Sequence, residues 1–240
     1  MSPTRPSPNF GDRRGRRVEL VVLHYTAMVS CDAALERLCD PAAEVSAHYL
    51  IDEDGTRHVL VAEADRAWHA GAGTWAGEGD VNSRSIGIEL ANPGDRPFAE
   101  PQMRELERLL AEVLARHGLG PQAVIGHSDM APERKGDPGP RFDWRRLALQ
   151  GLSVWPEPRG PDAPPPHPSH TGAKGGVSPD MEGFLADLRA FGYPEAAPDV
   201  LLTAFRLRFR PWATGPLDAE DRGLAAGLRR IVVDGAAVSA

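Results

Sequence analysis

Two short apolar runs, each closed by a histidine, restrict this chain more than any other feature. Val21-Val22-Leu23-His24 and Val124-Ile125-Gly126-His127 show almost no polar alternation. That pattern belongs to strands covered on both faces, which occur in sheets with helices packed above and below. The predicted strands span 17–25 and 123–127, so each delivers its histidine to its C-terminal end.

The remaining pattern completes a sheet of this kind. Val45 to Ile51 and His58 to Val61 read as strands joined by Asp52-Glu53-Asp54-Gly55, whose Asp-Gly ending suits a hairpin. In the strand Ser85 to Leu90 a period of two sends Ile86, Ile88 and Leu90 to one face and Gly87 and Glu89 to the other. Helices are predicted over 30–38 and 101–117. In the second, Met103, Leu106, Leu109, Leu110, Val113 and Leu114 fall at helical spacing, with a stop at Gly118.

Seven prolines between Pro156 and Pro168 can build neither a helix nor a sheet interior, which predicts a semi-rigid linker over 156–176. Three short helices follow, at 179–191, 199–209 and 218–232. Phe184, Leu188, Phe191, Leu202, Phe205, Phe209, Leu224, Leu228 and Ile231 supply their shared core. The expected class is α/β, with a central mixed β-sheet flanked by helices over 1–155 and a small C-terminal three-helix bundle over 177–240. A bundle of about 60 residues is marginal alone, so it is expected to dock on the first unit and help shape its groove.

A net charge of −7 over 240 residues argues against nucleic acid as a partner, because phosphate binding is dominated by lysine and arginine. The basic cluster Arg13, Arg14, Arg16 and Arg17 has no interleaved aromatic residues and reads as a solvated arm. No run approaches the ~20 apolar residues of a membrane span. The first fifteen residues lack the apolar stretch of a secretory signal, so a cytoplasmic location is expected. Cys31 and Cys39 are too few for a disulfide framework and read as reduced, partly buried thiols. No oligomeric state is implied.

His24, His127 and Asp137, ten positions after His127, make a set of two imidazoles and one carboxylate. Sets of this composition hold catalytic Zn²⁺ and leave its fourth position to water. Such a centre needs a base for the water proton and a cation for the developing oxyanion, and Glu89 and Lys135 are the candidates. Trp68 and Trp75 could pack or form an apolar wall for a sugar ring or an acyl chain.

At this point the chain resembles the zinc-dependent N-acetylmuramoyl-L-alanine amidases, the family that includes the peptidoglycan recognition proteins. The resemblance runs through His24-Tyr25-Thr26, Val45 to Ile51, Trp68-His69-Ala70-Gly71, Asn82 with Ser85 to Leu90, Gly126-His127-Ser128-Asp129, and Lys135-Gly136-Asp137-Pro138-Gly139-Pro140. It implies metal ligation by His24, His127 and Asp137, a catalytic carboxylate at Glu89 and transition-state stabilisation by Lys135. Tyr25, His48, Trp68, His69 and Asn82 are expected around the substrate, His48 and His69 supporting or lining the site rather than ligating. The implied partner is a muropeptide or peptidoglycan, and the implied setting is cell wall recycling on the 1,6-anhydro form. A recognition module without turnover and a phage-type endolysin acting on intact wall are the alternatives; loss of a zinc ligand would mark the first, and all three are present.

Gln150 to Pro156 and Ala204-Phe205-Arg206-Leu207-Arg208-Phe209-Arg210-Pro211 are similar to segments of the two-domain bacterial members, whose tail is a peptidoglycan-binding-like bundle. Gly215-Pro216-Leu217-Asp218 begins like a turn of that bundle, and Asp221 stands where threonine is usual.

Overall fold

The computed structural model describes residues 5–156 and 179–238, so the predicted linker lies outside the described residues except for Pro156. In chain order the elements are β1 (Phe10–Gly11), β2 (Leu20–Tyr25), α1 (Cys31–Cys39), β3 (Tyr49–Ile51), β4 (Arg57–Val59), β5 (Arg66–Ala67), β6 (Ser85–Leu90), α2 (Glu100–His117), β7 (Val124–Gly126), α3 (His127–Met130), α4 (Trp144–Leu149), α5 (Pro179–Phe191), α6 (Pro198–Phe209) and α7 (Ala219–Val238).

The main sheet has the order β4-β3-β6-β2-β7. Strands β3, β6, β2 and β7 run parallel, and β4 returns antiparallel to β3 through the predicted Asp-Gly turn. Because the four parallel strands point one way, Tyr25, Ile51, Leu90 and Gly126 end at one edge, where ligands bind in open α/β sheets. The predicted strand 45–51 is shorter than expected: only Tyr49–Ile51 joins the ladder, although His48 still donates its backbone N–H to Gly87 O at 3.0 Å.

Alternation decides what each face buries. Val21, Leu23, Ile86, Ile88 and Leu90 pack against α2 through Met103, Leu106, Leu109 and Leu110. Ser30 caps α1 by accepting from Ala33 N–H at 3.2 Å, and Gly118 ends α2 in the left-handed region at φ 64. On the opposite face Leu20, Val22 and Ile125 join one cluster with Phe184, Phe191, Phe205 and Phe209. The C-terminal helices thus cover the second face of the sheet.

One expectation needs correction, and one open alternative is decided. Arg13 is not part of a solvated arm: its buried guanidinium donates to Ser83 O at 3.0 Å, Ser85 O at 3.1 Å and Glu63 O at 2.9 Å. Four arginines within five positions gave no sign that one satisfies carbonyls 70 positions away. Trp75 is not a cleft wall either; it is buried edge-on against Phe191 and Tyr193, at 5.6 and 5.3 Å. Both cysteines are free, Cys31 buried and Cys39 partly so.

Candidate active site

A cleft of about 490 Å³ opens at the C-terminal edge of the sheet, lined among others by His24, Glu89, His127, Arg134, Lys135 and Asp137. β2 supplies His24, and β6, paired to it in register, supplies Glu89. His127 begins α3 directly after β7. Asp137 arrives from the following loop, pinned where Ser128 N–H donates to Asp137 O at 2.9 Å. Gly126 makes that approach possible, since a Cβ there would lie 2.9 Å from Pro138 Cδ and 3.2 Å from Trp144.

The sequence-predicted ligands meet. His24 Nδ1 lies 2.9 Å from both His127 Nδ1 and Asp137 Oδ2, and His127 Nδ1 lies 3.1 Å from Asp137 Oδ2. These separations approach the roughly 3.3 Å edge of a tetrahedron with bonds of about 2.0 Å.

The hydrogen bonds behind the rings fix their tautomers. His127 Nε2 faces the Ala70 carbonyl at 2.9 Å, which can only accept, so Nε2 carries the proton. Behind His24 the chain is longer. Ser85 O–H donates to Val81 O at 2.6 Å and its Oγ accepts from His69 Nε2–H at 3.1 Å, leaving His69 Nδ1 to accept from His24 Nε2–H at 3.0 Å. Both ligand rings therefore turn an Nδ1 lone pair toward Asp137 Oδ2. Three lone pairs that converge with no proton between them are a donor set that fits a divalent cation, and backing of metal-bound imidazoles by such partners is the general rule.

Charge and burial agree with that assignment. Burial, then the neighbouring His127, lowers His24 to about 4, and burial drives His69 well below its ordinary range, so both stay neutral. Burial alone would raise Asp137, but the neighbouring His127 and His24 hold it well below the usual carboxylate range. Glu89 moves the other way. Burial, then the charge of Asp137, raises it to about 8, with Lys135 opposing, and its Oε2 has no hydrogen-bond partner among the described residues. A carboxyl at the cleft with such a pKa suits proton transfer near neutrality.

Of the residues expected around the substrate, Tyr25, Trp68 and His69 line the cleft, whereas His48 and Asn82 do not. His48 is buried behind the sheet edge, where its Nδ1 accepts Gly87 N–H at 2.9 Å. Asn82 Oδ1 accepts the backbone N–H of His69 and Ala70 at 3.0 and 2.8 Å, which fixes the carbonyl behind His127. Both brace the backbone behind the cleft, with these polar atoms engaged by backbone groups. His69 needs Gly87 beneath it: a Cβ at that position would sit 2.3 Å from His69 Cγ.

Arg134 is the cleft residue that sequence reasoning passed over. It donates to the Ala70 and Ala72 carbonyls, and burial lowers its pKa. Adjacency to Lys135 was the signal that could have found it. The C-terminal helices, expected to shape the groove, contribute no lining residue among the described residues; every described cleft residue falls between His24 and Asp137.

Comparison with known proteins shows the family. The profile of the N-acetylmuramoyl-L-alanine amidase family matches residues 14–140. The chain belongs to that family of enzymes. It is 35% identical over 236 residues to the N-acetylmuramoyl-L-alanine amidase AmiD of Escherichia coli, covering 88% of this chain and 82% of that one. The 1,6-anhydro-N-acetylmuramyl-L-alanine amidase AmpD of Enterobacter cloacae is 41% identical, over 59% of this chain and 86% of its own. Among solved structures, E. coli AmiD in complex with anhydro-N-acetylmuramic acid-L-Ala-D-gamma-Glu-L-Lys superposes with a TM-score of 0.74 at 32% identity, covering 94% of this chain and 92% of that one. AmpDh3 of Pseudomonas aeruginosa gives 0.73 at 32%, over 94% and 95%.

Proposed function

We propose that this enzyme hydrolyses the amide between the lactyl carboxyl of N-acetylmuramic acid and the L-alanine of the stem peptide, with Zn²⁺ held by His24, His127 and Asp137. The observation that carries the reading is the convergence of three ligand lone pairs beside a carboxyl raised to about 8. Zinc supplies Lewis acidity there, lowering the pKa of a water and polarising a carbonyl oxygen.

The chain's own groups divide the rest of the work. Glu89 takes the proton from the attacking water and returns it to the departing alanine nitrogen. Lys135 places its ammonium at the cleft, where the carbonyl oxygen gains charge. Trp68 and Tyr25 offer apolar and hydroxyl surface to the sugar and lactyl portion.

The 1,6-anhydro sugar is the proposed natural form and cell wall recycling in the cytoplasm the proposed setting. The anhydro form is supported by the names of the AmpD relatives and by the anhydro-muropeptides in the AmiD and AmpDh3 complexes. The test is incubation of the zinc-loaded protein with a soluble anhydro-muramyl peptide and, in parallel, with intact sacculi. Release of a peptide with a new L-alanine amine, faster from the soluble substrate, is expected. No cleavage of either would overturn the reaction. Preference for sacculi, or recovery of the protein outside the cytoplasm on fractionation, would overturn the recycling setting alone.

A further inference from the structure

The arginine-rich end of α6 has no part in the cleft, yet one of its residues reaches the turn that carries a ligand. Arg206 and Arg210 both pair with Asp221 inside the C-terminal bundle, at 2.5 and 2.7 Å. Arg208 leaves the bundle. Its Nη1 donates to Asp129 Oδ2 at 2.5 Å, and its Nη2 donates to Val124 O at 3.1 Å and Ser153 Oγ at 3.2 Å. The guanidinium lies over Trp144, 4.1 Å from the ring centroid.

Asp129 is the third residue of α3, the four-residue helix that begins at His127. Besides Arg208, its carboxylate accepts Gly126 N–H at 2.8 Å and the Tyr193 hydroxyl at 2.6 Å. The two side chains of the ion pair are 1% and 0% exposed. A charge buried this deeply holds its geometry only while its partners remain. Gly126 and Asp129 flank His127, so the direction of the His127 ring depends on where Asp129 is held, and two of its three partners come from the C-terminal segment.

We propose that Arg208 and Tyr193 are positioning residues for His127, acting through Asp129: the C-terminal helices stiffen the metal site from behind while contributing nothing to the cleft. The inference rests on the zinc reading above. It explains why a second unit that lines no part of the groove inserts a buried arginine beneath its floor.

The test compares two buried arginines of one helix. R206M breaks a pair internal to the bundle, and R208M breaks the one that reaches α3. Both are expected to lower the melting temperature. Only R208M is expected to speed zinc release to a chelator, measured well below either melting point, by about tenfold or more, the scale seen when partners of metal-bound ligands are removed. R208K, which keeps the charge, is expected to restore part of the loss. Y193F, which retains ring packing against Trp75, tests the same point with little risk to folding and is expected to release zinc a few-fold faster. Equal release from R206M, R208M and wild type would overturn the inference alone, as would wild-type release from Y193F if R208M does not fold. A wild-type chain that retained no zinc would overturn the metal reading and this inference with it.

Discussion

His24 and Glu89 are register partners on adjacent parallel strands, so the proposed ligand and the proposed catalytic carboxyl project side by side from the same edge of the sheet. Hydrogen bonding between β2 and β6 sets their separation, and a rigid ladder is a more exact support than a loop. Glu89→Gln keeps the shape and removes the base. It is expected to retain zinc and lose kcat by about 10²–10⁴-fold, the usual contribution of a general base. Steady-state kinetics beside metal analysis check this; near-normal turnover would transfer the role to Tyr25, which also lines the cleft.

Metal content follows from the ligand triangle. Protein purified without chelator is expected to hold about one zinc per chain, and His127→Ala to lose it, since two remaining ligands make a poor site. Elemental analysis reads the result directly. Full occupancy in the variant would refute the ligand assignment.

Gly87 tests how the site is backed. Gly87→Ala drives a Cβ into the His69 ring, 2.3 Å from Cγ in the present geometry. Overpacking of this kind costs about 1–3 kcal/mol, and displacing His69 removes the acceptor for His24 Nε2–H. A lower melting temperature together with roughly tenfold weaker zinc binding is expected. A variant with wild-type stability and zinc affinity would show that His69 does not sit over this strand.

The buried imidazoles make stability depend on acid. Burial, then the charge of Arg13, lowers His48 to about 3, against 6.5 for an unperturbed histidine. Below pH 6.5 the unfolded chain takes up a proton that the folded one refuses, so this contribution is complete above 6.5 and is lost as pH falls toward 3. It amounts to about 5 kcal/mol for a shift from 6.5 to about 3. Denaturant titrations of the metal-free protein across this range are expected to show the decline, and His48→Gln to flatten it. An unchanged slope in the variant would assign the acid sensitivity to other groups.

Much of the site was legible because its residues are tied to strand ends. An apolar run that stops at a histidine specifies both a buried strand and the place of its last side chain, which is why the patterns located His24, His127 and Glu89 at the edge of the sheet where the cleft opens. Asp137 followed from its motif. What sequence did not disclose depends on partners far along the chain. His48 and Asn82 belong to the right neighbourhood, but their polar atoms are taken by Gly87 and by the backbone of His69 and Ala70. Trp68 and Trp75 look alike in sequence; one faces the cleft and the other is enclosed by Phe191 and Tyr193. Arg13 and Arg208 could not be told from solvated arginines, because the carbonyls and carboxylate that receive them lie 70 and 79 positions away.

The hydrogen-bond chain from Val81 through Ser85 and His69 to His24 has a direction. Each member donates toward Val81, and the last acceptor is a peptide carbonyl that has no proton to give back. A proton released in the cleft cannot be relayed outward along this route, since that would require the carbonyl to become a donor. His24 is thereby insulated from protons moving in the cleft, which are confined to the solvent side, where Glu89 is the proposed carrier. The wall behind the site conducts orientation but not charge.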